Sequence, residues 1–334
     1  MKASSIRDEL ESNASIITDF IRSYLQGEPK ELYEASEHYI VSGGKRLRPF
    51  MTVKSCEMLG GNSKRALPPA AAVEMIHNFS LVHDDIMDND EMRHNIPTVH
   101  NYYGTPLAIL SGDILFSKAF KLLVAEGRKV GHSENAISEM VARLSNACIY
   151  VCEGQATDVG MTLNRRFSSE SHYIDMICKK TAALFEVSCT LGALSAAESD
   201  NKDIENLSSF GKNVGIAFQL TDDLIGIIGD PKITGKSVGN DIREGKKTYP
   251  ILLALRNAKE NERNKIFKVF GKNSSTADLK AAVSTISSIG IERQVKEAAK
   301  SHIDRAIKSI ERYSYSYAKE VLVSSANFIV ERSL

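Results

Sequence analysis

Apolar residues recur at helical spacing along most of this chain, and convincing period-two alternation is scarce. That pattern commits the chain to α-helices packed on one another. Long helical runs are predicted over 66–90, opened by Pro68-Pro69 and closed near Glu91, and over 105–127, 135–160, 168–197, 203–229 and 246–259. The C-terminal third adds stretches near 276–286 and 290–331. The polar segments 127–134, 161–167, 198–202 and 230–245 read as loops. None is biased enough for a linker, and no period repeats. The expectation is one all-α domain over residues 1–334.

Composition narrows the function. Lys+Arg and Asp+Glu are 42 each among 334 residues, so no net charge draws nucleic acid or an anionic membrane. Any anion site must come from local basic clusters. No stretch approaches the ~20 apolar residues of a membrane span, and the start, MKASSIRDELESN, lacks the apolar run of a signal peptide. Cys56, Cys148, Cys152, Cys178 and Cys189 form no CxxC pair, which fits reduced thiols in a cytoplasmic protein.

Acids interrupt two of the apolar helices. His83-Asp84-Asp85-Ile86-Met87-Asp88-Asn89-Asp90 closes the first run, after the mostly apolar AAAVEMIHNFSLVH. Asp84 and Asp88 stand four apart, one above the other on one face. Like charges there repel, and a helix C-terminus disfavours anions. The arrangement is costly unless cations sit on it, and magnesium shared with substrate phosphates would supply them. A solvated acidic helix end is the bland alternative. His77 and Leu81 share the stripe of Asp84 and Asp88. The second interruption is VGIAFQLTDDLIGIIG at 214–229, where Gln219, Asp222, Asp223 and Gly226 share a face. A core salt bridge would explain one such pair. Two of them point to a shared metal site.

Basic clusters accompany the acids. Gly43-Gly44-Lys45-Arg46-Leu47-Arg48-Pro49 puts three cations on a glycine-opened turn. Arg93, Lys179-Lys180-Thr181, Lys236 and Gly245-Lys246-Lys247-Thr248 add more. A lone basic tripeptide is usually solvated surface. Metal-binding acids together with several such clusters describe diphosphate chemistry, where metal and Lys/Arg stabilise a leaving diphosphate.

The sequence resembles the trans-prenyl-diphosphate synthases, the short-chain head-to-tail group with archaeal-like farnesyl and geranylgeranyl members. The matching pieces are GGKRLRP at 43–49, DDIMD at 84–88, RHNIPTVH at 93–100, GQATD at 154–158, KT at 180–181, FQLTDD at 218–223 and GKSVGNDIREGKKTYP at 235–250. They fall in family order over about residues 40–250, while the first forty residues and the C-terminal third, 251–334, match weakly. The resemblance implies an antiparallel bundle of the isoprenoid synthase type around a central cavity, usually a homodimer. It implies two to three magnesium ions, with manganese as a substitute. Asp84, Asp88 and Asp222 would be ligands, with Asp85 and Asp223 in support. Lys45, Arg48, His77 and His94 would hold isopentenyl diphosphate. Arg93, Lys180, Thr181, Gln219, Lys236 and Lys246 would serve the allylic diphosphate and carbocation, with Lys180 and Lys246 catalytic beside the metal ligands.

Two positions depart from the family pattern. His94-Asn95 replaces the usual Arg-Gly after Arg93, so the charge of His94 depends on its surroundings. Gly226 takes the place of the last Asp of the second motif, leaving a third metal to Asp222, waters and diphosphate. Phe79 and Ser80, five and four before Asp84, are implied to set product length. At 1.5 Å per residue, Phe79 lies about 7.5 Å below the metal. One aromatic there without an insertion in DDIMD implies geranylgeranyl diphosphate as the main product, with farnesyl diphosphate as runner-up. A terpene cyclase would have no second diphosphate for GGKRLRP to bind, and a non-catalytic partner subunit would be expected to lose metal ligands.

Overall fold

The computed structural model describes residues 3–93, 95–163, 169–197, 199–229, 239–272 and 274–331. Helices account for nearly all of them. They are α1 (Ala3–Tyr24), α2 (Lys30–Val41), α3 (Leu47–Met58), α4 (Ser63–Asp88), α5 (Val99–Tyr103), α6 (Thr105–Lys129), α7 (Glu134–Leu163), α8 (Glu170–Ile177), α9 (Ala183–Ser195), α10 (Asn201–Ile228), α11 (Asn240–Glu244), α12 (Tyr249–Asn257), α13 (Glu260–Val269), α14 (Thr276–Ser288), α15 (Ile291–Ser309) and α16 (Tyr317–Glu331). A π-helical turn, Cys178–Ala182, joins α8 to α9 without a break. Two-residue strands, Met92–Arg93 and Ile96–Pro97, pair antiparallel just after α4. No helix among the described residues is long and apolar enough to cross a membrane.

The helical runs read from the sequence are present, with four differences. Helices form where none was expected: α1, α2 and α3 before residue 60, α5 just after the two short strands, and α13. The expected loop over 230–245 contains α11, while 230–238 lie outside the described residues. The run 290–331 is two helices, and Lys319 bonds the carbonyls of Glu311 and Tyr313 between them at 3.1 and 2.5 Å. Finally, α4 starts at Ser63, capped by Asn62 accepting from the Lys64 N–H at 2.9 Å, so Pro68 and Pro69 lie inside the helix rather than at its start.

An interior proline leaves the carbonyl four residues back without its donor. Here His132 replaces what Pro69 cannot give. Arg65 can only donate, so its contact with His132 Nδ1 at 3.1 Å makes that atom the acceptor. The proton is then on Nε2, which donates to the Arg65 carbonyl at 2.8 Å. Burial pushes the His132 pKa down, in keeping with a neutral ring.

The chain divides into two compact units. The first comprises Met1–Ile149, Leu184–Gly211 and Ser309–Ser325. In it α4 packs along α6 and α3. Phe50, Phe185, Phe210, Ile17 and Ile21 are fully buried. Arg46 is also spent inside, its guanidinium meeting Glu74 at 2.8 Å, and it is a structural residue rather than an anion ligand.

The second unit comprises Tyr150–Ala183, Lys212–Lys308 and Ala326–Leu334. In it α13 packs on α14, burying Ile266 and Val269 on one helix and Leu279, Ala282 and Ile286 on the other. On α15, His302 Nδ1 lies 2.8 Å from Asn213 Oδ1. Burial, then Arg305, lowers the His302 pKa from 6.5 to about 4. The folded state therefore binds fewer protons than the unfolded chain between these values. Stability should rise with pH across about 4 to 6.5 and be fully present above. Melts at pH 4.5 and 7 should show a smaller difference for His302→Gln than for the parent. An equal difference refutes the assignment to His302.

Candidate active site

The glycine-rich turn 43–46 uses backbone that a side chain resists, with φ of 99° at Gly43 and 119° at Gly44. It delivers three cations to different places. Lys45 is exposed and Arg46 is buried against Glu74. Arg48 points to α4, where its Nη1 donates to His77 Nε2 at 3.1 Å, and its guanidinium lies 4.4 Å from the centre of the Phe185 ring. Burial lowers the Arg48 pKa to about 10, against the pull of Glu74. Among the described residues its Nε is buried without a hydrogen-bond partner, the kind of donor an anion would satisfy.

The acids at the end of α4 divide by direction. Asp84 is half-buried and Asp88 exposed, while Asp85 is only 1% exposed. Asp85 Oδ1 accepts from Arg93 Nη2 at 2.5 Å and from Arg93 Nε at 2.8 Å, and its Oδ2 accepts from the Tyr39 hydroxyl. Burial works against the Arg93 charge, but Asp85 more than offsets it and the Arg93 pKa rises. His94 lies outside the described residues.

Below these acids, Ser80 Oγ bonds the His77 carbonyl at 2.8 Å. Phe79 packs edge-on against His83 and against Phe116 of α6, with ring centres 4.7 and 5.2 Å away. Phe120 continues the column 5.2 Å beyond Phe116. Sequence reasoning found nothing else large near Phe79 on its own turn, because these two rings come from a helix more than thirty residues on.

The second unit repeats the division. Asp222 is half-buried, whereas Asp223 is 4% exposed and accepts from the Tyr173 hydroxyl and from Gln219 Nε2 at 2.8 Å. Burial, with Asp241 and Asp222 nearby, pushes the Asp223 pKa up to about 8. Thr181 Oγ1 donates to Gln219 Oε1 at 2.7 Å, which fixes the amide orientation. Lys180 and Thr181 both sit on the π turn, a local unwinding often found at functional sites.

The sequence motif GQATD finds its use at that turn. A β-carbon at Gly154 would fall 2.3 Å from the Lys180 backbone nitrogen. Asp158, one turn along α7, accepts from Lys180 Nζ at 2.6 Å. Gly226 is explained as well, since a β-carbon there would fall 2.5 Å from Asp241 Oδ2. The place of the missing side chain is taken by a carboxylate from α11, which sequence reasoning had not singled out. Lys246 pairs with Glu244 at 2.8 Å on the surface, and Lys247 turns inward to the Met161 carbonyl at 2.5 Å. Lys236 lies outside the described residues.

Among the described residues no group of three or more His, Cys, Asp or Glu side chains is gathered into a metal cage. The donors are outward carboxylates, Asp84 with Asp88 in one unit and Asp222 in the other. They suit magnesium, which takes one or two carboxylates and fills its shell with water and substrate phosphate.

An all-α chain with two acid pairs, one carboxylate of each tied inward, is of the isoprenoid synthase class. Residues 29–286 match the family described as polyprenyl synthetase, and the chain belongs to that family. It is 43% identical over 299 residues to a geranylgeranyl diphosphate synthase of Sulfolobus acidocaldarius, covering 89% of each chain. It is 40% identical over 323 residues to a geranylfarnesyl diphosphate synthase of Aeropyrum pernix, covering 95% of this chain and 99% of that one. A crystal structure of geranylgeranyl pyrophosphate synthetase from Pyrococcus horikoshii superposes with a TM-score of 0.92 at 39% identity, over 99% of both chains.

Proposed function

We propose that residues 1–334 form one head-to-tail prenyltransferase domain. It condenses isopentenyl diphosphate with dimethylallyl, geranyl and farnesyl diphosphates, gives mainly geranylgeranyl diphosphate, and releases diphosphate. The supporting observation is the end of α4, where outward Asp84 and Asp88 offer a cation site beside an Arg93 guanidinium held by Asp85. Asp84 and Asp88 would hold magnesium in the first unit and Asp222 in the second, and the metal would supply positive charge to a departing diphosphate. Arg93, Lys180, Lys236 and Lys246 donate to the allylic diphosphate as its carbon–oxygen bond breaks. Lys45, Arg48, His77 and His94 hold isopentenyl diphosphate, whose double bond forms the new carbon–carbon bond before a proton leaves to the freed diphosphate. The Thr181 and Gln219 dipoles stabilise the allylic cation. The enzyme works as a cytoplasmic homodimer.

The test is purified protein with magnesium, isopentenyl diphosphate and each allylic primer, followed by chromatography of dephosphorylated products. A twenty-carbon product is expected. A wild-type product stopping at fifteen carbons overturns the length assignment, and product formation without isopentenyl diphosphate favours a cyclase. Phe79→Ala should lengthen the product, and Phe79→Ala with Phe116→Ala should lengthen it further, because Phe116 backs Phe79. An unchanged product in both variants refutes the floor.

A further inference from the structure

Tyr39 lies on α2, outside every motif that drew attention in the sequence. Its ring is buried in a small core with Val82, Val99 and Ala108. Its hydroxyl is held from two sides, accepting from the Val99 backbone N–H at 3.2 Å and donating to Asp85 Oδ2. Its backbone carbonyl is fixed too, accepting from Arg46 Nη2 at 3.3 Å. The remaining lone pairs of Asp85 face Arg93, whose Nε and Nη2 both donate to it.

The only freedom this leaves Asp85 is rotation of its carboxyl group, and the Tyr39 hydroxyl removes it. A buried carboxylate with one fixed oxygen presents the other in one direction, and a guanidinium bonded through two nitrogens takes its plane from that direction. Arg93 Nη1 is not among the atoms bonded to Asp85. We infer that Tyr39 is a positioning residue for Arg93, acting through the Asp85 carboxylate to aim the guanidinium at the allylic diphosphate. The inference rests on the reading of Arg93 given above. A purely structural Tyr39 would anchor α2 to α5 and leave substrate affinity untouched.

Tyr39→Phe removes one oxygen and keeps the ring in its core. It should raise KM for the allylic diphosphate by roughly tenfold, the low end for losing a group that orients a ligand. KM for isopentenyl diphosphate should stay within about twofold, since Lys45 and Arg48 do not depend on this path. In an Arg93→Ala background the same change should add almost nothing to the allylic KM, because a relay has no effect once its target is gone. Raised allylic KM in Arg93→Ala, with Tyr39→Phe altering only the melting temperature, overturns the relay and leaves Arg93 as a ligand. Equal losses from Tyr39→Phe in both backgrounds also overturn it. An unchanged allylic KM in Arg93→Ala overturns the Arg93 reading and the relay together. Should Tyr39→Phe not fold, Asp85→Asn tests the next link, and an allylic KM equal to the parent's refutes the path.

Discussion

Asp84→Ala should lose about a thousandfold in kcat/KM at saturating magnesium, the scale on which a pre-placed charge at a reacting diphosphate contributes. The fold should survive. Asp84 repels Asp88 one turn on, by about 0.2–0.5 kcal/mol, but it also attracts the Arg93 guanidinium, so its removal should change stability little. Loss of activity with a nearly unchanged melting temperature is the expected signature. Asp85→Ala should behave in the opposite way on stability, since it strands the half-buried Arg93 and the buried Tyr39. Near-parental turnover in Asp84→Ala would show that the metal assignment is wrong.

Gly154→Ala should be nearly as damaging from a distance. The new methyl would fall 2.3 Å from Lys180 N, 2.7 Å from Lys180 Cα and 2.9 Å from the Lys179 carbonyl carbon. These are backbone atoms and have no rotamer to yield. Either α7 moves off the π turn or the turn rewinds, at about 3 kcal/mol. Both routes pull Asp158 from Lys180 and shift Thr181 against Gln219. A denaturant midpoint lowered by that amount, with kcat/KM down about a hundredfold, is expected from misplacement on this scale. Unchanged midpoint and kinetics would refute the requirement for glycine.

The long helices that follow residue 60 and the acid pairs were legible in the sequence because both are local patterns. Periodicity locates α4 and α10, and like charges inside an apolar run stand out wherever they fall. What was not legible depends on distant partners. Arg46 and Arg48 look alike in GGKRLRP until Glu74 takes the first and His77 the second. A π turn leaves no mark on side-chain spacing, so 168–197 reads as plain helix. Gly226 looked like a lost ligand because the approach of Asp241 has no sequence signal. Prolines 68 and 69 suggested a helix start, because nothing local reveals that His132 can supply a missing donor.

The aromatic column beneath Asp84 bears on how such an enzyme changes over generations. Its rings come from two helices, Phe79 from α4 and Phe116 and Phe120 from α6. On the proposed reading, a replacement at either level is partly masked by the ring behind it. Product length is then an epistatic trait. Drift at residue 116 or 120 can accumulate silently while Phe79 stays, and a later change at residue 79 would expose it in one step. Relatives at 43% and 40% identity already carry names for two different products.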